Sequence, residues 1–173
     1  MGHAASEFIP VSIAVLTVSD SRGEAEDTSG HYLVEAAKQV GHQVVDKRII
    51  KDNIYQIRAV ISGWIADESV QAVVITGGTG FTTRDNTPEA ILPLFDREVE
   101  GFGELFRMMS YEDIGTSTIQ SRALAGIANQ TIIFAVPGST NACKMAWERI
   151  IVEQLDARHR PCNFLPHLSK KQR

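Results

Sequence analysis

Residues 12–19, S-I-A-V-L-T-V-S, form a nearly unbroken aliphatic and β-branched run of the kind found in strands buried on both faces. A central strand is expected there. The polar stretch from Asp20 to Gly30 places Thr28 or Ser29 to cap a helix whose apolar positions Tyr32, Leu33, Ala36, Ala37 and Val40 recur at helical spacing. Gly41 then stands where helices commonly end in a left-handed residue. Gln43 to Ile50 reads as a second strand, and Asp52-Asn53 can cap a helix carrying Ile54, Ile57, Val60, Ile61, Trp64 and Ile65. Ala72 to Thr76 is a third strand that runs straight into Gly77-Gly78-Thr79-Gly80. Thr87-Pro88-Glu89 predicts a helix start, with Thr as cap, Pro in the first position and Glu facing the positive end of the dipole. Helical stretches are expected from Gly103 to Tyr111 and from Thr118 to Leu124. A fourth strand is expected from Thr131 to Val136, closed by Pro137-Gly138, and a last helix from near Thr140 through Leu155.

Strand and helix alternate, which predicts an α/β fold with a mostly parallel sheet covered on both sides and right-handed crossovers. Neither repeat nor linker interrupts it. The organisation expected is a flexible N-terminus over 1–11, one domain over 12–157 and a basic tail over 158–173. Sheets of this kind bind ligands at the carboxyl ends of their strands. That rule selects Ser19-Asp20, Asp52, Gly77 to Asp85 and Pro137-Gly138 as walls of a single site.

Composition narrows the function classes. The chain has 173 residues, 43% hydrophobic and 22% charged, which excludes a mostly disordered protein. Seventeen Lys and Arg against 21 Asp and Glu give a net charge of −4, which argues against nucleic acid as partner. The longest apolar run falls short of the roughly 20 residues that cross a bilayer. The opening residues lack a signal-peptide core, so a cytoplasmic protein without a membrane partner is expected. Cys143 and Cys162 match neither a disulfide framework nor a zinc knuckle, and the five histidines lack metal-ligand spacing. Cys143 reads as a small core residue.

The glycine-dense turn after the third strand lets backbone N–H groups approach an anion, phosphate above all; the alternative is a tight turn requiring positive φ. It is neither a Walker A loop nor a dinucleotide fingerprint. Asp85, beside this turn, suggests Mg²⁺ bridging a carboxylate and phosphate oxygens, with Asp52 as the second carboxylate; an Asx turn is the plainer reading. Asp20 is placed to bind a ligand hydroxyl or amide edge, or simply to form a turn. Ser121-Arg122, near Thr116, Ser117 and Thr118, either holds an oxyanion or caps a helix. A flavodoxin-like or dinucleotide module is disfavoured by the glycine spacing.

Taken together and in order, Thr76-Gly-Gly-Thr-Gly80, Arg84-Asp85 with Thr87-Pro88-Glu89-Ala90, Phe95-Asp-Arg-Glu98 with Gly101-Phe-Gly-Glu104, Ser121-Arg122 and Val136-Pro-Gly138 resemble a known family. It is the molybdenum cofactor biosynthesis proteins of the MoaB/MogA type, which include the amino-terminal domain of gephyrin. The MoaB branch is favoured by Gly115-Thr-Ser-Thr118, Pro137-Gly-Ser-Thr140 and Arg160-Pro-Cys-Asn-Phe164. The resemblance implies a three-layer α/β/α fold and a homo-oligomer, trimer or hexamer. It implies adenylylation of the terminal phosphate of molybdopterin by Mg-ATP, with release of pyrophosphate, and contact with other proteins of the same pathway. Asp52 and Asp85 match the acidic pair that carries this chemistry and would hold Mg²⁺. In that reading Gly77, Gly78, Thr79 and Gly80 hold phosphate by their amides and Ser121 holds the pterin's phosphate. Asp20 touches pterin or nucleotide, and Ser19, Pro137 and Gly138 complete the walls. The alternative is a molybdopterin carrier that uses the same pocket without chemistry.

Overall fold

A computed structural model describes residues 7–168. Its elements are β1 (Ser12–Val18), α1 (Thr28–Val40), β2 (Gln43–Ile50), α2 (Ile54–Ala66), β3 (Ala72–Thr76), α3 (Thr87–Ile91), β4 (Arg97–Glu98), α4 (Glu100–Ile114), β5 (Leu124–Ala128), β6 (Thr131–Val136), α5 (Thr140–Ala146) and α6 (Val152–Gln154). They build one six-stranded sheet in the order β2-β1-β3-β6-β5-β4. The first four are parallel; β5 runs antiparallel to β6, and the edge strand β4 antiparallel to β5.

Every residue of β1 is buried, because helices cover both faces of the sheet. Ile13, Val15, Val74, Ile132 and Phe134 face one core with Leu33, Ala37, Phe102, Phe106 and Trp147. Their neighbours in sequence, Ala14, Leu16, Val73, Ile75 and Ile133, face a second core with Ile57, Ile61, Trp64 and Ile91. The unbroken apolar runs follow from this double coverage: with a side-chain period of two, both phases must be hydrophobic. The expected three-layer α/β/α arrangement is borne out.

The structure corrects several local expectations. The cap of α1 is Asp27, which accepts from Gly30 N at 3.0 Å, rather than Thr28 or Ser29. Thr87 does not cap the helix; Asn86 occupies the cap position of α3, and its side chain accepts no bond from the helix amides. The helical stretch expected from Thr118 to Leu124 is met only in part: a 3₁₀ helix covers Gly115–Gln120, and Leu124 already opens β5. The β5–β6 hairpin turns through Asn129 and Gln130, both at positive φ. This is the conformation of a two-residue hairpin loop, but without the glycine that usually announces one. Thr131–Val136 is therefore the sixth strand in sequence, not the fourth. The last helix is continuous only by way of a π turn over Trp147–Ile151. Asn53 does cap α2, and Gly41 does end α1 at φ 106.

Chain on either side of residues 12–157 packs against the body. Val11 is 1% exposed, and its amide donates to His42 Nδ1 at 3.1 Å. The Phe8 ring lies 5.0 Å from the His42 ring, and Leu168 is buried. Residues 1–6 and 169–173, including the basic run at 170–173, lie outside the described residues.

Asp27 ties three elements together. Fully buried, it accepts from Thr17 Oγ1 of β1, caps α1 and pairs with Lys47 Nζ of β2 at 2.9 Å. Burial pushes its carboxyl up, but the bonds from Lys47, Gly30 and Thr17 outweigh it and hold the group below its ordinary value. Asp27→Ala removes a cap, orphans the buried Thr17 hydroxyl and takes from Lys47 one of its two carboxylate partners, leaving it Glu24. The expected loss is about 3 kcal/mol of folding free energy, with Asp27→Asn closer to wild type because it keeps the cap; urea denaturation checks both. His42 gives a pH dependence. Its burial lowers its pKa from 6.5 to about 4, with partial opposition from Asp156. The unfolded chain therefore takes up this proton at higher pH than the native one. The stability that depends on a neutral His42 is intact above pH 6.5 and falls as pH drops toward 4, by up to about 3 kcal/mol. In His42→Asn, whose Oδ1 can still accept from Val11, this component of the fall is expected to vanish in denaturation curves across that window.

Candidate functional site

Because β2, β1, β3 and β6 are parallel, the loops that follow them leave the sheet at one edge. A cavity of about 440 Å³ opens there. Ser19, Ser21 and Arg22 wall it after β1, Gly77, Gly78, Thr79, Gly80 and Asp85 after β3, and Pro137 and Gly138 after β6; Ile114, Ser117, Gln120 and Ser121 close the far side. The structure thus brings together most of the residues selected by the strand-end rule. Asp20, Asp52 and residues 81–84 do not line it: Asp52 lies behind Gly78, and Asp20 is held by Arg84 and the Asp52 amide.

The turn after β3 needs glycine for two separate reasons. Gly77 has φ 103, and a Cβ there would lie 2.2 Å from the Val18 carbonyl oxygen. Gly78 has φ 68, and a Cβ there would lie 2.7 Å from Asp52 Oδ2. Such a turn frees backbone groups to face a ligand, but not all four amides of the expected cradle are free. Gly77 N donates to Val136 O at 3.0 Å, and the Gly80 amide bonds the Asp85 carboxylate. The cradle narrows to Gly78 and Thr79, whose N–H groups donate to no protein acceptor among the described residues. Ser121 Oγ, buried on the far side of the same cavity, also has no hydrogen-bond partner among them. A buried hydroxyl left unpaired is costly unless a ligand or water completes it.

The carboxylates differ in environment. Asp85 accepts from Thr82 N at 2.9 Å and Thr82 Oγ1 at 2.7 Å. Burial pushes its carboxyl up, yet these bonds, the Gly80 amide and the Arg122 charge hold it below the usual range, so it is an anion on the cavity wall. Asp52 is 3% exposed and accepts from Asn86 N and from Asn86 Nδ2 at 2.8 Å. Burial raises its pKa; the Asn86 bonds oppose this, and the nearby charges of Asp20 and Asp85 add to it. Asp20 meets Arg84 through two bonds of 2.8 and 2.7 Å and accepts from Asp52 N at 3.1 Å. The Arg84 bond, larger than the opposing effect of burial, holds it at about 2.

No group of three or more His, Cys, Asp or Glu among the described residues is placed to hold a metal ion. Asp52 and Asp85 form no ion pair among the described residues, and they push on each other electrostatically. A pair of carboxylates fits Mg²⁺ when a substrate supplies phosphate oxygens for the remaining positions.

Two arginines have roles that the sequence does not reveal: Arg22 is not among the expected site residues, and Arg122 is expected only beside Ser121 in an oxyanion site or a helix cap. Arg122 donates from its amide to Thr79 O at 2.9 Å, from Nε to Gly80 O at 2.7 Å and from Nη2 to Asp85 O at 2.8 Å. It also pairs with Glu89 and lies 5.1 Å over the Phe81 ring. It laces the loop that carries Asp85. Arg22 reaches Gly138 O at 2.8 Å and puts a cation on the cavity wall. The Ser121-Arg122 pair drew attention for its hydroxyl, while the guanidinium contacts depend on distant carbonyls that no local pattern reveals. Cys143, expected in the core, is buried with its Sγ 3.2 Å from Thr76 Oγ1, and burial pushes the thiol up to about 11.

Comparison with known proteins places this geometry. A family profile described as "Probable molybdopterin binding domain" matches residues 14–157. The chain is 66% identical over 170 residues to molybdenum cofactor biosynthesis protein B of Escherichia coli (strain K12), covering 98% of this chain and 100% of that one. A crystal structure of a molybdenum cofactor biosynthesis protein B matches with a TM-score of 0.82 at 42% identity, over 85% of this chain and 92% of that one. The crystal structure of the tungsten cofactor synthesizing protein MoaB from Pyrococcus furiosus matches with a TM-score of 0.74 at 40% identity, over 83% and 92%. The resemblance read from the ordered motifs is borne out, and the chain belongs to the molybdenum cofactor biosynthesis family built on the molybdopterin-binding domain.

Proposed function

We propose that the protein binds molybdopterin in the cavity at the carboxyl edge of the sheet and adenylylates its terminal phosphate with Mg-ATP, releasing pyrophosphate. The observation that carries this reading is the meeting, around one cavity, of three donors without protein partners among the described residues and an ionised carboxylate. The Gly78 and Thr79 amides and Ser121 Oγ suit a phosphate, and Arg22 supplies positive charge for a second anionic group. Asp85 and Asp52 would hold Mg²⁺, which when bound neutralises charge on the phosphate oxygens. In the step itself a molybdopterin phosphate oxygen attacks the α-phosphorus of ATP. The bond from that phosphorus to the bridging oxygen breaks, and pyrophosphate leaves with the electron pair. Positioning and electrostatics supply most of the acceleration in phosphoryl chemistry, which suits a cavity made of donors and one acid with a second acid behind it.

A homo-oligomer of three or six copies and a cytoplasmic setting, with other proteins of the pathway as partners, belong to the same proposal. Among the described residues no helix is long and apolar enough to cross a membrane. Met108, Tyr111, Ile114 and Ile119 expose apolar surface suited to contact between copies.

One observation favours the alternative of a carrier without chemistry. Asp52 lies behind the glycine turn at 3% exposure and is engaged by Asn86, so the two acids do not share the cavity wall. Incubation with molybdopterin, Mg²⁺ and ATP, followed by pyrophosphate detection, separates the readings. Wild type is expected to release pyrophosphate, and Asp85→Asn to lower kcat about 100-fold while still binding the pterin. Pterin binding without pyrophosphate release would establish the carrier, and equal activity of wild type and variant would remove Asp85 from the chemistry.

A further inference from the structure

Thr87 is fully buried at the start of α3, yet neither of its polar groups serves that helix. Its amide donates to Gly78 O at 3.0 Å, and its hydroxyl donates to Gly77 O at 2.9 Å. Both bonds run back into the glycine turn. The contact is close enough that a Cβ on Gly78 would lie 2.3 Å from Thr87 Oγ1.

The consequence follows from peptide geometry. A trans peptide is planar, with its C=O and the next residue's N–H on opposite edges. Drawing the Gly77 carbonyl toward Thr87 turns the Gly78 N–H the other way. Drawing in the Gly78 carbonyl does the same to the Thr79 N–H. These are the two amides of the turn without a protein acceptor among the described residues, and both residues line the cavity. The peptide planes on either side are held by other groups, Gly77 N by Val136 O and Thr79 O by the Arg122 amide. One side chain and its own N–H therefore orient both free donors.

We infer that Thr87 is the positioning residue of a two-amide anion hole, aiming the Gly78 and Thr79 N–H groups at a phosphate oxygen through the carbonyls it holds from behind. The inference rests on the phosphate-binding part of the proposed function and is independent of whether adenylylation occurs.

The test uses the full chain, ¹⁵N-labelled and titrated with inorganic phosphate and separately with pyrophosphate, following the Gly78 and Thr79 amide resonances. In wild type both are expected to shift and saturate. Thr87→Val keeps the shape but loses the hydroxyl, and is expected to weaken pyrophosphate binding about 10-fold; Thr87→Ser is expected to stay within about twofold of wild type. Thr131 offers a control for stability alone: it is equally buried and its hydroxyl donates to Val70 O at the opposite edge of the sheet. Thr131→Val is expected to lower Tm without changing anion affinity. If Thr87→Val does not fold, Thr87→Cys, a much weaker donor, carries the same comparison. Equal affinity of Thr87→Val and wild type overturns the role of Thr87, as does an equal loss in Thr131→Val. Wild-type resonances that do not move with either anion overturn the phosphate reading itself.

Discussion

At residue 77 the β3 turn passes so close to the end of β1 that the Val18 carbonyl oxygen would sit 2.2 Å from any Cβ. That approach is only possible for glycine, and it follows from strand pairing: Thr17 and Thr76 are register partners, so the two chains leave the sheet side by side. The left-handed backbone required there lets the next residues fold back over α3. Gly78 and Thr79, whose amides have no partner among the described residues, line the cavity that Ser121 closes from the far side. A side chain at this position would push the turn off the sheet edge and separate the donors from the cavity they line.

Around that turn the charges are arranged in two tiers. Asp85 stands on the cavity wall and is kept ionised by Thr82, the Gly80 amide and Arg122, while Asp52 stands behind it in a desolvated position that favours its neutral form. Asp20 belongs to the scaffold of this arrangement: it holds Arg84 on one side and the Asp52 amide on the other, linking the loops after β1, β2 and β3. An additional cation near the two acids would relieve the mutual repulsion that now raises Asp52. Arg122 plays the corresponding part for the backbone, since its contacts fall on the carbonyls of residues 79, 80 and 85.

Much of the fold is legible because both phases of β1, β3 and β6 are apolar and α1, α2 and α5 begin at capping residues. Where it was misread, the determining contact lay far away. Asp27 looked like one more polar loop residue, and only β1 and β2 supply the Thr17 and Lys47 that make it the cap. β5 escaped notice because Leu124-Ala-Gly-Ile-Ala128 has no decisive period and its hairpin turns through Asn129-Gln130 without glycine. Gly126 there makes room for the Phe95 ring, a reason invisible in the local pattern.

The sequence by itself determined the alternation of strands and helices, the loops that gather at one edge, and the family, because hydrophobic period, glycine placement and motif order are local properties of the chain. Tertiary structure alone decided which polar groups are spent and which remain available. Gly77 and Gly80 lost their amides to Val136 and Asp85, Thr87 turned from cap to anchor, and Asp52 withdrew behind Gly78. Hydrogen-bond partners are assigned by proximity in space, and residues dozens of positions apart compete for the same donors, so no window along the chain contains the answer.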